Sequence, residues 1–542
     1  MDIADILKKG EHLFSAKLPL LSLWQDIGDQ FYPERADFTT LHSIGDEFAD
    51  HLSSSYPLIA RRELGDAMSS MLRPTSKEWF KVTTEQPEQL SHGAKQWLEW
   101  AAGVQKRAMY DRQAQFHRAT KTADHDYVTF GQAVMSLEIN RKAQTLLYRT
   151  WHLRDVAWCE GEDGQVDEVH HNWKRPLRQL AARFPGKLSA RFTEKIVRDE
   201  PYREVQCRRV VMRSEYFTGK KFKAPWVVLD IDVENNHLME VSGSNRMLYI
   251  VPRWHMNGLS QYAYSPAMMI AIPEARLLQA MTLTLLEAGE KAVDPPMVAR
   301  GGVIRDDVNL FAGGITNIDM DYDERMGSPL YPVIGDMKNI PLSLEMLVRS
   351  QNTLAECLYL SKLALPIFER NTTATEIVKR TQEQIRQVAP LFEPMESEYN
   401  APLCEDTFSL LMQEGTFGPK DDIPAELWEQ QVVFKFESPL HEAVEKMKGQ
   451  TLLETAGMVA QIAAVDQSAT AIMDWKKALR DAIAGNGAPA AWMRSEEDVQ
   501  ADAEDMKQKM AMAQTLAAMD QGAGVAEKAG KAAVSLGDAG VI

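Results

Sequence analysis

The sequence predicts a mainly helical α+β protein, and three observations carry that reading. Apolar residues recur at helical spacing through most of the first 125 residues. Short alternating runs replace them from about Tyr127 to Val251. Between Tyr262 and Glu398, two long helical segments bracket a single insertion rich in glycine and proline.

In the first region, Leu52 to Leu72 and Gln96 to Ala119 show helical spacing, the latter through Trp97, Trp100, Val104 and Met109. Between them RPTSKEWFKV reads as a turn entering a short aromatic strand. In the second region VMSLEI, LLYRTWHL, REVQCRRVVM, WVVLDIDV and RMLYIVP are strand-like, with GEDGQ and SGSN as polar turns. One helix, WKRPLRQLAARF, interrupts them and ends near Pro185-Gly186.

The third region is the most informative. A helix is expected from about Pro273 to Val293, a compact excursion from Asp294 to Pro341, and a second helix from Leu342 to Leu365. Asp294-Pro295-Pro296 stops the first helix, because proline cannot continue it and restricts the residue before it. GGVIRDDV, AGGITNIDM and SPLYPVI make the excursion strand-and-turn material. A break follows at Pro366 to Thr372 (PIFERNT), and Thr373 with Glu376 then forms a capping box that opens a third helix. That helix must bend near Pro390 and Pro394. Beyond it come a strand, VVFKFESPL, and helices from about His441 to Ala464, Ile472 to Ile483 and Ser495 to Met519. Two helices joined by one small insertion make a stalk with a tip, a shape suited to assembly rather than to enclosing a pocket.

With 542 residues the chain has ample core for three or four folding units. A formal net charge of -17 argues against a tightly wrapped nucleic acid, whose sequence-independent affinity comes from Lys and Arg. Such a surface suits either solubility or a wall past which DNA slides. Four widely spaced cysteines without a CxxC pair point to free thiols in a reducing compartment. The N-terminus carries acids before its lysines and no long apolar run, unlike a signal peptide. Glu274 and Arg276 interrupt even the most apolar stretch, SPAMMIAIPEARLLQAMTLTLLEAG, so no uncharged run of about 18 apolar residues occurs. A soluble, intracellular protein is expected.

No catalytic or metal site is expected either. TGKKF (Thr218 to Phe222) lacks the first glycine of a phosphate loop and carries Lys where a hydroxyl must bind magnesium. Asp319, Asp321 and Asp323 alternate like the start of a calcium loop, but Glu324 and Leu330 stand where Gly and a bidentate acid are needed. His170 and His171, adjacent on one strand, point to opposite faces and read as surface histidines. The methionines of the tail, Met506, Met510, Met512 and Met519, suit helix packing. No cofactor is implied.

In order along about Leu20 to Ser495, the chain resembles the head-to-tail connector, or portal, family of short-tailed bacteriophages. The resemblance rests on RPTSKEWFKV, FHRATKTADHDYVTFGQAVMSLE, WCEGEDGQVDEVHHNW, VPRW, YAYSPAMMIAIPEARLLQ, DPPMV, AGGITNID, TATEIVKRTQEQ and FESPL. One motif departs: the family's Tyr-Gly-Arg-Ser-Pro-like turn is Tyr262-Ala263-Tyr264-Ser265-Pro266 here, so the arginine's contribution cannot be carried over.

The resemblance implies a portal fold of wing, stem, clip and crown, in a ring of usually twelve copies at one capsid vertex. Residues 1–265 and 373–440 would form the wing, 266–293 and 342–365 the stem, 294–341 the clip, and 441–542 the crown and tail. The break 366–372 would be the channel loop, bringing Ile367, Phe368, Glu369, Arg370, Asn371 and Thr372 toward DNA. The implied partners are copies of itself, double-stranded DNA passing non-specifically, terminase, the major capsid and scaffolding proteins and tail adaptors, with no membrane. The implied places are the virion and, during assembly, the host cytoplasm.

The residues allow this use. A ~20-residue helix is about 30 Å long, a reasonable channel height. Arg276, Gln279, Glu287, Glu290 and Lys291 are its polar stem positions, leaving Leu277, Leu278, Met281 and Leu285 to pack between neighbours. A different virion protein, an internal core or tail-adaptor component, would share the acidity yet need no stalk with a tip. A packaging nuclease or ATPase would need an acidic metal cluster or phosphate loop.

Overall fold

A computed structural model describes residues 3–75, 78–86, 90–140, 142–192, 194–219, 221–258, 260–299, 303–304, 308, 317–318, 325, 327–332, 340–363, 394–428, 430–436, 455–459, 475–485, 492, 499, 502 and 504–510. It divides into two compact units. The larger comprises Met1–Lys81, Gly103–Gly418 and Phe434–His441; the smaller comprises Val82–Ala102, Pro419–Val433 and Glu442–Ile542.

The larger unit begins with helices α1 (Ile3–Ala16), α2 (Leu18–Phe31) and α3 (Tyr56–Leu72). Along the chain, β1 (Phe80–Thr84) follows, then α4 (His92–Met109), whose residues as far as Ala102 belong to the smaller unit, and α5 (Phe116–Phe130). The helical run expected from Gln96 to Ala119 is thus two helices. The chain turns between them at Gln115, whose φ of 58° is left-handed and outside helical geometry. Helix α5 is buried on every side from Ala123 to Phe130.

Next come β2 (Val134–Asn140), β3 (Thr145–Trp151), β4 (Val156–Glu160), β5 (Val166–Pro176), α6 (Leu177–Arg183), α7 (Glu194–Asp199), β6 (Glu204–Arg213), β7 (Trp226–Asp232), β8 (His237–Ser244) and β9 (Tyr249–Ile250). Five of these strands form an antiparallel sheet in the order β4-β5-β6-β7-β8, and three form β3-β2-β9. The period of two explains how the larger sheet is covered on both faces. In β6, Val210 and Met212 join Ile6 and Leu7 of α1 in one cluster. Val205 and Cys207, one residue out of phase, join Leu177, Leu180 and Phe184 from α6 and its end in another.

The stalk follows: a π turn (Ala267–Ala271), α8 (Ile272–Val293), β10 (Met297–Ala299), β11 (Leu330–Pro332), α9 (Ile340–Cys357) and α10 (Leu360–Leu363). Strands β10 and β11 pair antiparallel, Val298 opposite Tyr331, and close the base of the excursion. The second stalk helix is not continuous. Tyr359, at φ 58°, separates α9 from α10, because a left-handed residue cannot stay in the helix. A helix then runs over Ala401–Gln413 after a π turn at Glu396–Asn400, and β12 (Val432–Phe436) pairs with β1.

The boundary between the units passes through β1 and β12. On the larger unit's side, Trp79 stacks on Phe436 and Phe80 meets Phe434, which is the role of the aromatic pair in RPTSKEWFKV. In the smaller unit, Glu426 accepts from the Ser91 backbone N–H, and Trp475–Gly485 is helical.

Candidate functional site: the stalk and its mounting

The stalk is mounted by its Ser-Pro turn. Ser265 Oγ donates to the Thr129 carbonyl at 2.6 Å and accepts from the Met268 backbone N–H at 3.2 Å, capping the incoming helix. Gln132 Oε1 accepts from Ala263 N at 2.9 Å. Gly131, at φ 75°, lets Tyr264 pass: a Cβ there would lie 2.6 Å from the Tyr264 carbonyl carbon. The departing residues Ala263 and Tyr264 are thus held mainly through backbone.

Of the predicted stem positions, two fasten α8 to its own chain. Gln279 accepts from Ser54 N at 2.7 Å and donates to Ser54 O at 2.8 Å. Arg276 pairs with Asp26 of α2 at 3.1 Å, both groups more than half exposed. Across the hairpin, Ser350 Oγ of α9 donates to Glu274. Glu287, Glu290 and Lys291 lie exposed on the far half of α8.

The apolar positions divide differently from expectation. Leu278 is fully buried within the chain, with Ala271 and Ala275, rather than left for a neighbour. Met281 and Leu285 are half-buried. Leu277, Leu283, Leu286 and Val293 are exposed, as are Leu342, Leu344, Met346 and Val348 on α9. The helical stretch Ala267–Val293 is long and apolar enough to cross a membrane by length and composition, although only 17% of its apolar window is buried inside the chain. That window holds two charges, Glu274 and Arg276, so the stretch is still not an uncharged apolar run.

The larger unit also holds a set of buried arginine contacts, two of them ion pairs, that the sequence reading missed. Asp124, His125 and Asp126, consecutive on α5, each hold one arginine from the N-terminal helices and their ends. Arg73 donates to Asp124, to Asn400 at 2.7 Å, and lies 4.5 Å from the Tyr399 ring. Arg61 bonds His125 Nδ1 at 2.9 Å and the Phe31 carbonyl at 3.0 Å, and stacks on Tyr32. Arg35 grips Asp126 through Nε at 3.0 Å and through Nη2. Burial and the facing Arg61 push the His125 pKa down. Three consecutive polar residues on a helix point three ways and read equally well as solvated, so nothing local in the sequence marked them as buried.

Arg253, in the VPRW motif, plays a similar part. It clasps Glu398 with two bonds near 3.0 Å, and bonds Glu160 and the Gly164 carbonyl. His170 and His171 prove to be buried, correcting their reading as surface groups. They do point to opposite faces: His170 bonds Glu168 at 2.7 Å, and His171 bonds Tyr249 at 2.9 Å. Burial, then Arg209 and Arg175, push the His171 pKa down to about 3.

Ile367, Phe368, Glu369, Arg370, Asn371 and Thr372, the capping box Thr373–Glu376, and Asp319, Asp321 and Asp323 lie outside the described residues.

The comparisons with known proteins span from about three quarters of the chain to nearly all of it. The portal protein of Salmonella phage epsilon15 is 21% identical over 522 residues, 94% of this chain and 92% of that protein. The probable portal protein of Bordetella phage BPP-1 is 21% identical over 425 residues, 76% of this chain and 75% of that one. Among solved structures, a chain of a native gene transfer agent virion matches at 8% identity and a TM-score of 0.35, covering 79% of this chain and 90% of its own. A family model described as bacteriophage head to tail connecting protein matches residues 4–493. The chain therefore belongs to the bacteriophage head to tail connecting protein family, a family of virion components.

Proposed function

We propose that copies of this chain close into a ring, usually of twelve in the family it resembles, whose central channel passes the phage genome. The portal role itself follows from family membership; the ring and its workings are our reading. One observation supports it above others. The stretch Ala267–Val293 contains an apolar window long enough to cross a membrane, yet its own chain buries only 17% of that window, leaving Leu277, Leu283 and Leu286 exposed. So much exposed apolar surface marks a site of association. Copies of α8 and α9 side by side cover that surface, and obligate assemblies bury large apolar interfaces of this kind. The anchored base of α8, through Gln279, Arg276 and Glu274, fits protein neighbours better than lipid.

In this reading residues 294–341 form the clip that docks terminase during packaging and a tail adaptor afterwards. Residues 366–372 form the channel loop, with Arg370 meeting phosphates non-specifically and Glu369 limiting how tightly DNA adheres. Capsid and scaffolding proteins surround the ring at one vertex, assembled in the host cytoplasm. The protein provides a passage and needs neither turnover nor cofactor.

The deciding experiment is light scattering on purified protein with particle images in top view. A ring with a central hole is expected; a chain that stays monomeric at high concentration would overturn the reading.

A further inference from the structure

Away from the stalk, β3, β5 and α6 enclose a cleft of about 290 Å³ lined by Arg149, Trp173, Arg175, Gln179, Leu180 and Arg183. Its construction follows from two periodicities. Trp173 and Arg175 alternate on β5 and share a face, while Leu180 and Arg183 are one turn apart on α6. Leu180 is buried in the core beneath, and Trp173 packs against the same cluster, so the floor is fixed. The guanidinium of Arg183 lies 5.7 Å from the Trp173 ring and that of Arg175 lies 6.0 Å from it.

The charge in this cleft is unbalanced. Among the described residues the carboxylate nearest these arginines in an ion pair is Glu138, 3.9 Å from Arg183, and its other oxygen is already taken by Arg209. Arg175 bonds the Lys174 carbonyl at 3.1 Å, and Arg149 acts on Glu138 electrostatically without closing an ion pair among the described residues. Glu138 is half-buried, and although burial pushes its carboxyl up, Arg209, Arg183 and Arg149 hold it below the usual carboxylate range. Three guanidinia thus share a fraction of one carboxylate, in a chain of net charge -17.

We propose that this cleft docks an acidic protein segment, two or more of whose carboxylates enter among Arg149, Arg175 and Arg183. All three cations are arginines, whose planar forks match carboxylates bidentately where lysines would not. Trp173 and Leu180 give the methylene stems of such a segment an apolar floor. Duplex DNA is instead gripped by basic stripes that follow phosphates spaced along a rod. Here the cations converge on one concave spot.

The probe is a fluorescein-labelled peptide of this chain's own acidic stretch, residues 495–505 (SEEDVQADAED). It is titrated with the full-length protein and read by anisotropy, at two salt concentrations. Binding that weakens with salt is expected, and a peptide with its acids replaced by amides should not bind. Arg149→Ala, Arg175→Ala and Arg183→Ala should each weaken it roughly tenfold. Arg175→Lys should lie between wild type and alanine, which separates lost recognition from lost folding. Arg198→Ala, at an exposed arginine elsewhere, should change nothing. No binding by the wild type, equal binding by the amide peptide, or undiminished binding by the triple alanine variant would overturn the proposal. Displacement of the peptide by a DNA oligonucleotide at lower concentration would also overturn it, and would give the cleft to nucleic acid.

Discussion

Arg73 shows how much this protein asks of single residues. It is fully buried, with Asp124, Asn400 and the Tyr399 ring around it. Removing one partner of a buried pair leaves an uncompensated charge, so Arg73→Ala should cost roughly 3–5 kcal/mol. Denaturant unfolding measures this directly; a loss under 1 kcal/mol would mean that water enters the site freely. Lys17 is buried as completely, and its Nζ donates to the carbonyls of Leu153, Arg154 and Val156 at 2.8–3.0 Å. Burial pushes its pKa down to about 7, while three acceptors suit the three protons of the ammonium form. His171 gives the pH dependence a sign. As pH falls below about 6.5 the unfolded chain takes up a proton there. The folded chain holds the ring neutral down to about 3. Stability therefore declines across that window, by about 2 kcal/mol between pH 6.5 and 5 for this one group. His171→Gln, which keeps a partner for Tyr249, should lose about that much less over the same interval. Parallel decline of the two proteins would remove His171 as a cause.

At the scale of elements the stalk carries the clearest expectation. Leu283 and Leu286 are exposed on the half of α8 that makes few contacts with its own chain. Replacing both with Glu should leave the monomer's circular dichroism unchanged and abolish the ring; an intact ring would move the interface elsewhere. The elements most readily legible in the sequence were those whose period or punctuation is local. Asp294-Pro295-Pro296 ended α8 at Val293 as expected, and the alternation in WVVLDID gave β7. The strands β4, β5 and β8 were not seen: VDEVHHNW buries Glu168, His170 and His171 instead of alternating cleanly, and HLMEVSGS buries only Met239, while β5 runs on to Pro176, so the helix expected from Trp173 begins at Leu177. Tyr359 carries no breaker chemistry, so the interruption between α9 and α10 could not be read from it. The buried arginines were invisible for a related reason: a charge is read as exposed until its partner, often a hundred residues away, is known.

For the whole molecule, the portal reading makes the channel loop the site where function and assembly separate. Arg370→Glu should leave the ring intact while impairing DNA packaging or retention. Loss of the ring instead would reduce the segment to a kink in a long helix. The larger unit also has a temporal consequence. Arg73 bonds Asn400, 327 positions later, and Arg253 clasps Glu398, 145 positions later. Tyr399, Leu403 and Cys404 are buried core residues, and the Tyr399 ring lies 6.1 Å from that of Tyr127. A ribosome that has made the first 390 residues has therefore released a body whose interior lacks its last pieces. Contacts so distant in sequence form late and slowly. A fragment ending at residue 390 should be digested rapidly by protease, and one ending at His441, which completes the larger unit, should resist. The subunit then becomes competent to join its neighbours only when its synthesis is nearly finished, which keeps half-made chains from entering the ring.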